Sequence, residues 1–382
     1  MLRHPAAGEK GFRNRMSSAL FSPLTLAGIT LPNRIAISPM CQYSALDGVP
    51  GDWHLMHLGA LAMGGAGMLI IEATAVEAIG RISPADTGLY SDEQEAAFAR
   101  IVAALRRWGT TPCIGVQLAH AGRKAATRAP FDGGGPLESA QGWQTVGASP
   151  VAFSGGWPVP EPLDRMGLAR VRDAFVSSAR RADRVGIDMV EVHAAHGYLL
   201  HQFLSPISNR RDDEYGGSRG GRMRFPLEVI AAIREVWPRQ KILGVRVSAT
   251  DWVEGGVTLE DTIAFARELR ALGCDYVCAS SGGSDPSAQI PVAPGYHVPF
   301  AAAIRQKAEI ATCAVGMIVR PEQAEQIVAQ GQADLVAIAR GFLDDPRWGW
   351  RAAEAFDVAA PYPPQYQRVA PRLWPGHKFK QR

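Results

Sequence analysis

Eight short apolar runs, separated by segments of helical periodicity, restrict what this chain can fold into more than any other feature. Four lie in the first half, at Arg34–Pro39, Met68–Thr74, Cys113–Ala119 and Met189–Ala194. Four follow, at Ile242–Ala249, Tyr276–Ser281, Ala314–Ile318 and Leu335–Arg340. Most are continuously apolar, the pattern of strands covered on both faces, and such strands pair in parallel. Between them, Ser91–Trp108 puts Ala97, Ile101, Ala104 and Leu105 on one helical face. Asp92, Glu93 and Glu95 sit where a helix N-terminus favours anions, and Gly109 ends the segment. Thr258–Leu272 repeats this grammar, with Thr258 as N-cap, Asp261 three residues on and Gly273 after the last apolar position. Strand then helix, eight times over about 320 residues, predicts an α/β chain closed into a single (β/α)8 TIM barrel.

One connection departs from the short-loop rule. From His120 to Asp164 the chain is rich in glycine and proline, including Gly133-Gly134-Gly135-Pro136. A connection of that length inside a compact domain reads as an elaborated loop, after the third strand, that packs over a site. The barrel is assigned to residues 17–360. Residues 1–16 lack the apolar segment of a secretion signal and read as a disordered leader, and residues 361–382 as a C-terminal tail.

Composition narrows the partners. The net charge of +3, from 40 basic and 37 acidic side chains spread along 382 residues, gives no footprint for nucleic acid or an anionic membrane. No run reaches the roughly 18–20 uncharged apolar residues of a membrane span. The five cysteines are odd in number and form no C-x-x-C pair, which argues against a disulfide scaffold and for a reducing, cytoplasmic compartment. Small molecules remain as the expected partners.

In barrels of this class the active site forms at the C-terminal ends of the strands. Nearly every predicted strand ends in polar residues: Ser38-Pro39-Met40-Cys41 with Tyr43 beyond the first, Gln117 and then His120 at the third, His193, His196 and Tyr198 at the fourth, Arg246 in the fifth and Arg340 at the eighth. Arg246 points into the barrel, where a guanidinium needs an anion or a good acceptor. An ion pair with Glu72 or Glu191 and a ligand role are both open. Arg340, helped by Gly316 and backbone amides at a helix N-terminus, fits the phosphate-binding region that this fold builds in the loops after strands 7 and 8. Together the two arginines suggest an anionic, phosphate-bearing cofactor.

His193-x-x-His196 could supply two metal ligands, but no clustered Asp, Glu or Cys offers the others, so the expected metal set is none. Two neutral imidazoles donating into the cavity would instead stabilise a developing oxyanion on a substrate carbonyl, with the Tyr198 phenol nearby as a proton source. Cys41 is a candidate nucleophile, yet nothing close in sequence supplies a base.

The segments Ser38-Pro39-Met40-Cys41-Gln42-Tyr43-Ser44, Gln117 to Ala125, His193-Ala194-Ala195-His196-Gly197-Tyr198 through Pro206, and the Arg246 strand resemble the old yellow enzyme family. The cysteine of Pro-Met-Cys resembles its thermophilic-like branch, which also contains xenobiotic reductases. The resemblance spans roughly Leu20 to Arg368. It implies an FMN-dependent ene reductase fed by NADPH or NADH. By the same resemblance Ser38, Pro39, Met40, Cys41, Ala73, Gln117, Arg246, Gly316, Ala339 and Arg340 hold the flavin, Arg340 at its phosphate and Arg246 at its pyrimidine edge. The implied chemistry is ping-pong, with hydride leaving flavin N5 for the β-carbon of an α,β-unsaturated carbonyl compound. His193 and His196 then grip the carbonyl, Tyr198 protonates the α-carbon, Cys41 tunes the flavin, and Tyr43 meets the substrate from the opposite side.

The tail segment Pro361 to Arg368 looks like the branch's arm that enters a neighbouring subunit, which implies a homodimer or tetramer with Tyr366 and Arg368 lining the partner's pocket. Ala339 stands where the family often has glycine. Two other classes are kept open: a metal-dependent barrel lyase or hydrolase using His193 and His196, and a barrel that binds ligand without turnover. An iron–sulfur dienoyl reductase is disfavoured because no cysteine follows Cys313.

Overall fold

The computed structural model describes residues 18–138 and 140–380. Expectations placed on residues 1–16 lie outside them. Eight parallel strands close into a barrel: β1 (Ile35–Ile37), β2 (Met68–Ala75), β3 (Cys113–Ala119), β4 (Met189–Ala194), β5 (Ile242–Ser248), β6 (Tyr276–Ser280), β7 (Ala311–Ala314) and β8 (Leu335–Ile338). β8 pairs with β1 through Val336, Ala337 and Ile338 against Ile35, Ala36 and Ile37, which completes the ring. The helices on the outside are α1 (Asp52–Ala62), α2 (Asp92–Trp108), α3 (Arg165–Val185), α4 (Leu199–Leu204), α5 (Arg219–Val236), α6 (Leu259–Ala271), α7 (Val298–Ala308), α8 (Pro321–Ala329), α9 (Arg340–Asp344) and α10 (Trp348–Ala355).

Helix boundaries follow local chemistry. Ser91 caps α2 by accepting from the Gln94 amide, and Thr258 caps α6 by accepting from the Asp261 amide. The buried face of α2 is turned slightly from the expected one. Phe98, Ile101, Val102 and Leu105 are buried while Ala97 and Ala104 are half-buried, because the large side chains take the centre of the contact and the alanines its edges.

Strand β7 is a correction. The expected Ala314–Ile318 begins where the strand ends, and Val315 to Ile318 form the following loop, with Gly316 at φ +100° and Met317 at +51°. Val315 and Ile318 are buried from that loop without joining the sheet, so their apolar character imitates a strand.

Two cores result. One fills the space between sheet and helices; the other lies inside the barrel and includes Ala36, Met68, Cys113, Met189, Ile242, Tyr276, Cys278 and Cys313. A short antiparallel hairpin, Leu24–Leu26 with Ile29–Leu31, packs Leu26 and Leu31 into the inner core, and its Gly28 amide bonds the Gln240 carbonyl just before β5. The N-terminal end of the barrel is thereby plugged. The long loop after β3 carries two short 3-10 turns and a two-stranded pairing of Val146–Gly147 with Glu161–Pro162.

Candidate functional site

Register brings the polar side chains of neighbouring strands level with one another. Gln117 stands opposite Glu191 and Ala73, His193 opposite Arg246, and Arg246 opposite Cys278. A bulge in β2 makes Glu72 the extra residue between the pairs Ile71–Val116 and Ala73–Gln117, which re-aims the strand end and leaves the small Ala73 beside Gln117.

At the centre, Glu191 is fully buried and accepts from Gln117 Nε2 at 2.7 Å and from the Tyr276 hydroxyl at 2.8 Å. Burial pushes its carboxyl up, against the pull of the Arg246 charge. Both oxygens of Glu191 are thus already engaged. Arg246 donates from Nη1 to Ser38 Oγ at 3.1 Å, and its Nε is buried with no partner. A half-buried guanidinium with donors to spare is suited to a ligand rich in acceptors. Of the two readings of Arg246, the direct ion pair is the one this geometry disfavours.

The loop after β4 carries the two histidines and the tyrosine. His193 Nδ1 accepts from the Ala195 amide at 3.2 Å, its Nε2 lies 3.3 Å from His196 Nδ1, and His196 Nε2 lies 2.7 Å from Ser280 Oγ. Burial, reinforced by the Arg246 charge, holds both imidazoles well below the ordinary histidine range, so both are neutral. Sequence reasoning expected both rings to donate into the cavity. Here the two inward-facing nitrogens bond each other, so one ring donates to its neighbour. The Tyr198 ring packs edge-on to His193 with centroids 4.9 Å apart, and burial pushes its phenol well up, so it holds its proton.

His196 occupies a left-handed conformation, φ +58°, that a side chain rarely adopts without outside restraint. Its amide donates to Ser248 Oγ at 2.9 Å and its carbonyl accepts from Lys124 Nζ at 2.9 Å. Gly197 follows at φ +75°, where a Cβ would fall 2.2 Å from the Gly283 carbonyl oxygen, so only glycine fits. The left-handed turn and this close approach set the ring's direction.

Cys41 and Tyr43 form the wall on the β1 side. Burial pushes the Cys41 thiol well up, and the nearby Asp86 and Glu72 carboxylates add to the shift; Tyr43 is raised by burial and by its contact with Cys41. A thiol held protonated is a poor nucleophile, so the nucleophile role considered for Cys41 does not fit. Phe131, from the long loop, meets Tyr43 edge-on with centroids 6.1 Å apart. Met40 and Pro39 are half-buried beside Ser38. Gly316 and Ala339 are half-buried in the loops that follow β7 and β8, and Arg340 is exposed at the start of α9.

Two groups of residues lie elsewhere. His120 turns away from the cavity to bond Glu77 at 2.9 Å, and Arg170 bonds the same carboxylate at 3.1 Å, so His120 ties the β3 loop to α3. Tyr366 packs on Arg347 and Trp350 and, like Arg368, is exposed. Sequence reasoning missed Lys124, Ser248 and Ser280. Ser248 and Ser280 are the final residues of β5 and β6, so the strand-end rule could have found them.

Among the described residues, no group of three or more His, Cys, Asp or Glu side chains is assembled to hold a metal ion. No helix among them is long and apolar enough to cross a membrane.

Residues 19–357 match the family model described as the NADH:flavin oxidoreductase / NADH oxidase family. An NADPH dehydrogenase of Geobacillus sp. (strain WCH70) is 43% identical over 355 residues, covering 92% of this chain and 99% of that protein. One from Listeria innocua is 44% identical over 354 residues, with 92% and 99% covered. Among solved structures, morphinone reductase superposes with a TM-score of 0.74 at 29% identity over 91% of this chain and 92% of its own. A 2-naphthoyl-CoA reductase, at 23% identity and a TM-score of 0.78, shares the fold over 88% of this chain and 52% of its own.

Proposed function

Because the chain belongs to the NADH:flavin oxidoreductase / NADH oxidase family, as an old yellow enzyme-type NADPH dehydrogenase that uses FMN, we propose that it reduces the activated C=C bond of α,β-unsaturated carbonyl compounds. The observation that carries this reading is the pair of facing imidazole nitrogens, 3.3 Å apart, with a protonated phenol packed against them at the mouth of the barrel. Two neutral imidazoles and a phenol suit a carbonyl oxygen and a neighbouring carbon that must gain a proton, once the nitrogens that now bond each other turn to the oxygen.

The residues present fit FMN. Arg246, with its unpartnered Nε, would meet the electron-rich pyrimidine edge, and Gln117 would meet the same ring from β3. Ser38, Pro39, Met40 and Cys41 would line the flavin from the end of β1, opposite the small Ala73. Arg340, with Gly316 and Ala339, would hold the phosphate; glycine is required at 316, where φ is +100° and a Cβ would come 2.8 Å from His297 Nδ1, so the backbone there is left bare of a side chain. What bound FMN supplies is hydride transfer in two halves, first from NADPH or NADH and then to the alkene, in ping-pong order.

The chain's own groups do the rest. His193 and His196 hold the carbonyl oxygen and draw electron density from the alkene; Tyr198 delivers a proton to the α-carbon; Tyr43 confines the substrate from the β1 side; Cys41 presents a neutral sulfur to the cofactor. A homodimer or tetramer in which Tyr366 and Arg368 of one copy line the pocket of another is part of the same proposal, as is a cytoplasmic location. The metal-dependent hydrolase reading has no observation in its favour.

An anaerobic absorbance spectrum tests the function. Flavin bands that bleach with NADPH and return with 2-cyclohexenone are expected; a protein that bleaches with NADPH but is not reoxidised by the enone overturns the substrate class.

A further inference from the structure

The hydrogen bonds around the two histidines differ in a way that their shared neutrality hides. The Ala195 amide can only donate, so the His193 nitrogen facing it, Nδ1, must be a lone pair. Its single proton therefore sits on Nε2, the atom that faces His196. His193 is fixed in one tautomer by the backbone.

His196 is not. Its Nε2 partner, Ser280 Oγ at 2.7 Å, is a hydroxyl, which can accept or donate by rotating its own hydrogen. With His193 Nε2–H aimed at His196 Nδ1 across 3.3 Å, the low-energy arrangement puts the His196 proton on Nε2 and makes Ser280 the acceptor. That arrangement is wrong for a carbonyl, because an oxygen placed between the rings would meet one N–H and one lone pair.

Building on the function proposed above, we infer that Ser280 is a positioning residue whose hydroxyl lets His196 exchange tautomers when a carbonyl oxygen enters the clamp. One proton leaves Nε2 and one reaches Nδ1, both exchanged with water at the mouth, so the ring stays neutral throughout. The Ser280 hydroxyl turns from acceptor to donor, and the lone pair newly formed on Nε2 is not left buried without a partner. Both facing nitrogens then donate to the same oxygen.

The surroundings support a change confined to protons. Ser248 holds the His196 amide and Lys124 its carbonyl, so the ring's backbone is fixed from both sides while only the Nε2 contact is reversible. Seryl and threonyl hydroxyls have this ability, whereas alanine has none.

The test uses the FMN-loaded protein with 15N-labelled histidine and cyclohexanone, a ketone with no C=C bond to reduce. In the wild type, His196 Nδ1 is expected to change from pyridine-type to pyrrole-type on ketone binding while His193 keeps its tautomer. Ser280→Thr should do the same. Ser280→Ala should bind cyclohexanone roughly tenfold more weakly, the size expected when one buried polar atom loses its partner. A pyrrole-type Nδ1 in His196 before ketone is added, an unchanged tautomer after it, or Ser280→Ala binding like wild type would each overturn the role of Ser280. If any of these is seen in a protein that still reduces 2-cyclohexenone, the ene-reductase reading stands and only the Ser280 inference falls. A protein that neither binds the ketone nor reduces the enone overturns both.

Discussion

Lys124 reaches His196 through the backbone rather than the imidazole, its Nζ donating to the His196 carbonyl oxygen at 2.9 Å. The same ammonium donates to the Gly283 carbonyl at 2.9 Å, so one charge ties the loop after β4 to the loop after β6. Replacing it by an uncharged chain of similar length, Lys124→Met, removes one bond from each of two residues held at positive φ, His196 and Gly283. Each bond from a charged donor is worth about 1.5–3 kcal/mol. The expected result is at least a tenfold fall in kcat/KM for 2-cyclohexenone with FMN still bound, read by steady-state kinetics and the flavin spectrum.

Tyr198 separates the two half-reactions. A general acid contributes roughly 10²–10⁴-fold, and the phenol is needed only where a carbon is protonated. Tyr198→Phe should slow reoxidation of the reduced protein by enone within that range and leave reduction by NADPH near wild type. Stopped-flow absorbance measures the two rates separately.

Arg246 and Glu191 test the barrel centre. The buried Glu191 carboxyl feels the Arg246 charge without bonding it, and a buried group that loses such compensation costs about 1–3 kcal/mol. Arg246→Met should lose FMN and lower the urea midpoint accordingly, and adding Glu191→Gln should recover part of the stability without recovering FMN. Equal midpoints for the single and double variants would show that the two charges do not interact.

Acid stability follows from a histidine outside the clamp. Burial, with the Arg246 charge, lowers His297 to about 4 from an ordinary 6.5. Between those values the unfolded chain binds a proton that the folded protein refuses, so stability falls as pH is lowered through the window. His57, at about 4 through burial and the neighbouring His54, acts with the same sign. Asp86, raised to about 7 by burial, acts with the opposite sign. Comparing His297→Gln with wild type at each pH isolates one share: the wild type should lose more stability than the variant between about pH 6.5 and 4, measured by urea unfolding.

Truncation after Tyr362 tests the tail. Tyr362 packs on Trp350 with ring centroids 4.7 Å apart, so the cut keeps the anchor and removes Tyr366 and Arg368. A raised KM for enone, together with unchanged flavin content, is the expected outcome. Unchanged kinetics and unchanged mass in solution would assign the tail no part in the site.

The barrel was legible because each strand had to be covered on both faces, and that requirement wrote itself into runs such as Cys113–Ala119 and Met189–Ala194, which the structure reproduces to the residue. It failed at β7, where the strand contains Thr312 and the neighbouring loop is the more apolar. The site was legible where strand ends deliver side chains directly, as with Gln117, His193 and Arg246. His120 misled because a position just past a strand does not fix direction, and Glu77 draws it away. Lys124 was invisible for another reason: it acts on the peptide group of His196, and a bond to a carbonyl leaves no mark on the partner's side chain.

The hairpin at Leu24–Leu31 has a consequence for traffic. With its base stoppered and its interior filled by side chains, the barrel offers small molecules only the doorway formed by the described strand ends, and under the function proposed above the donor and the acceptor of electrons would wait at that same threshold.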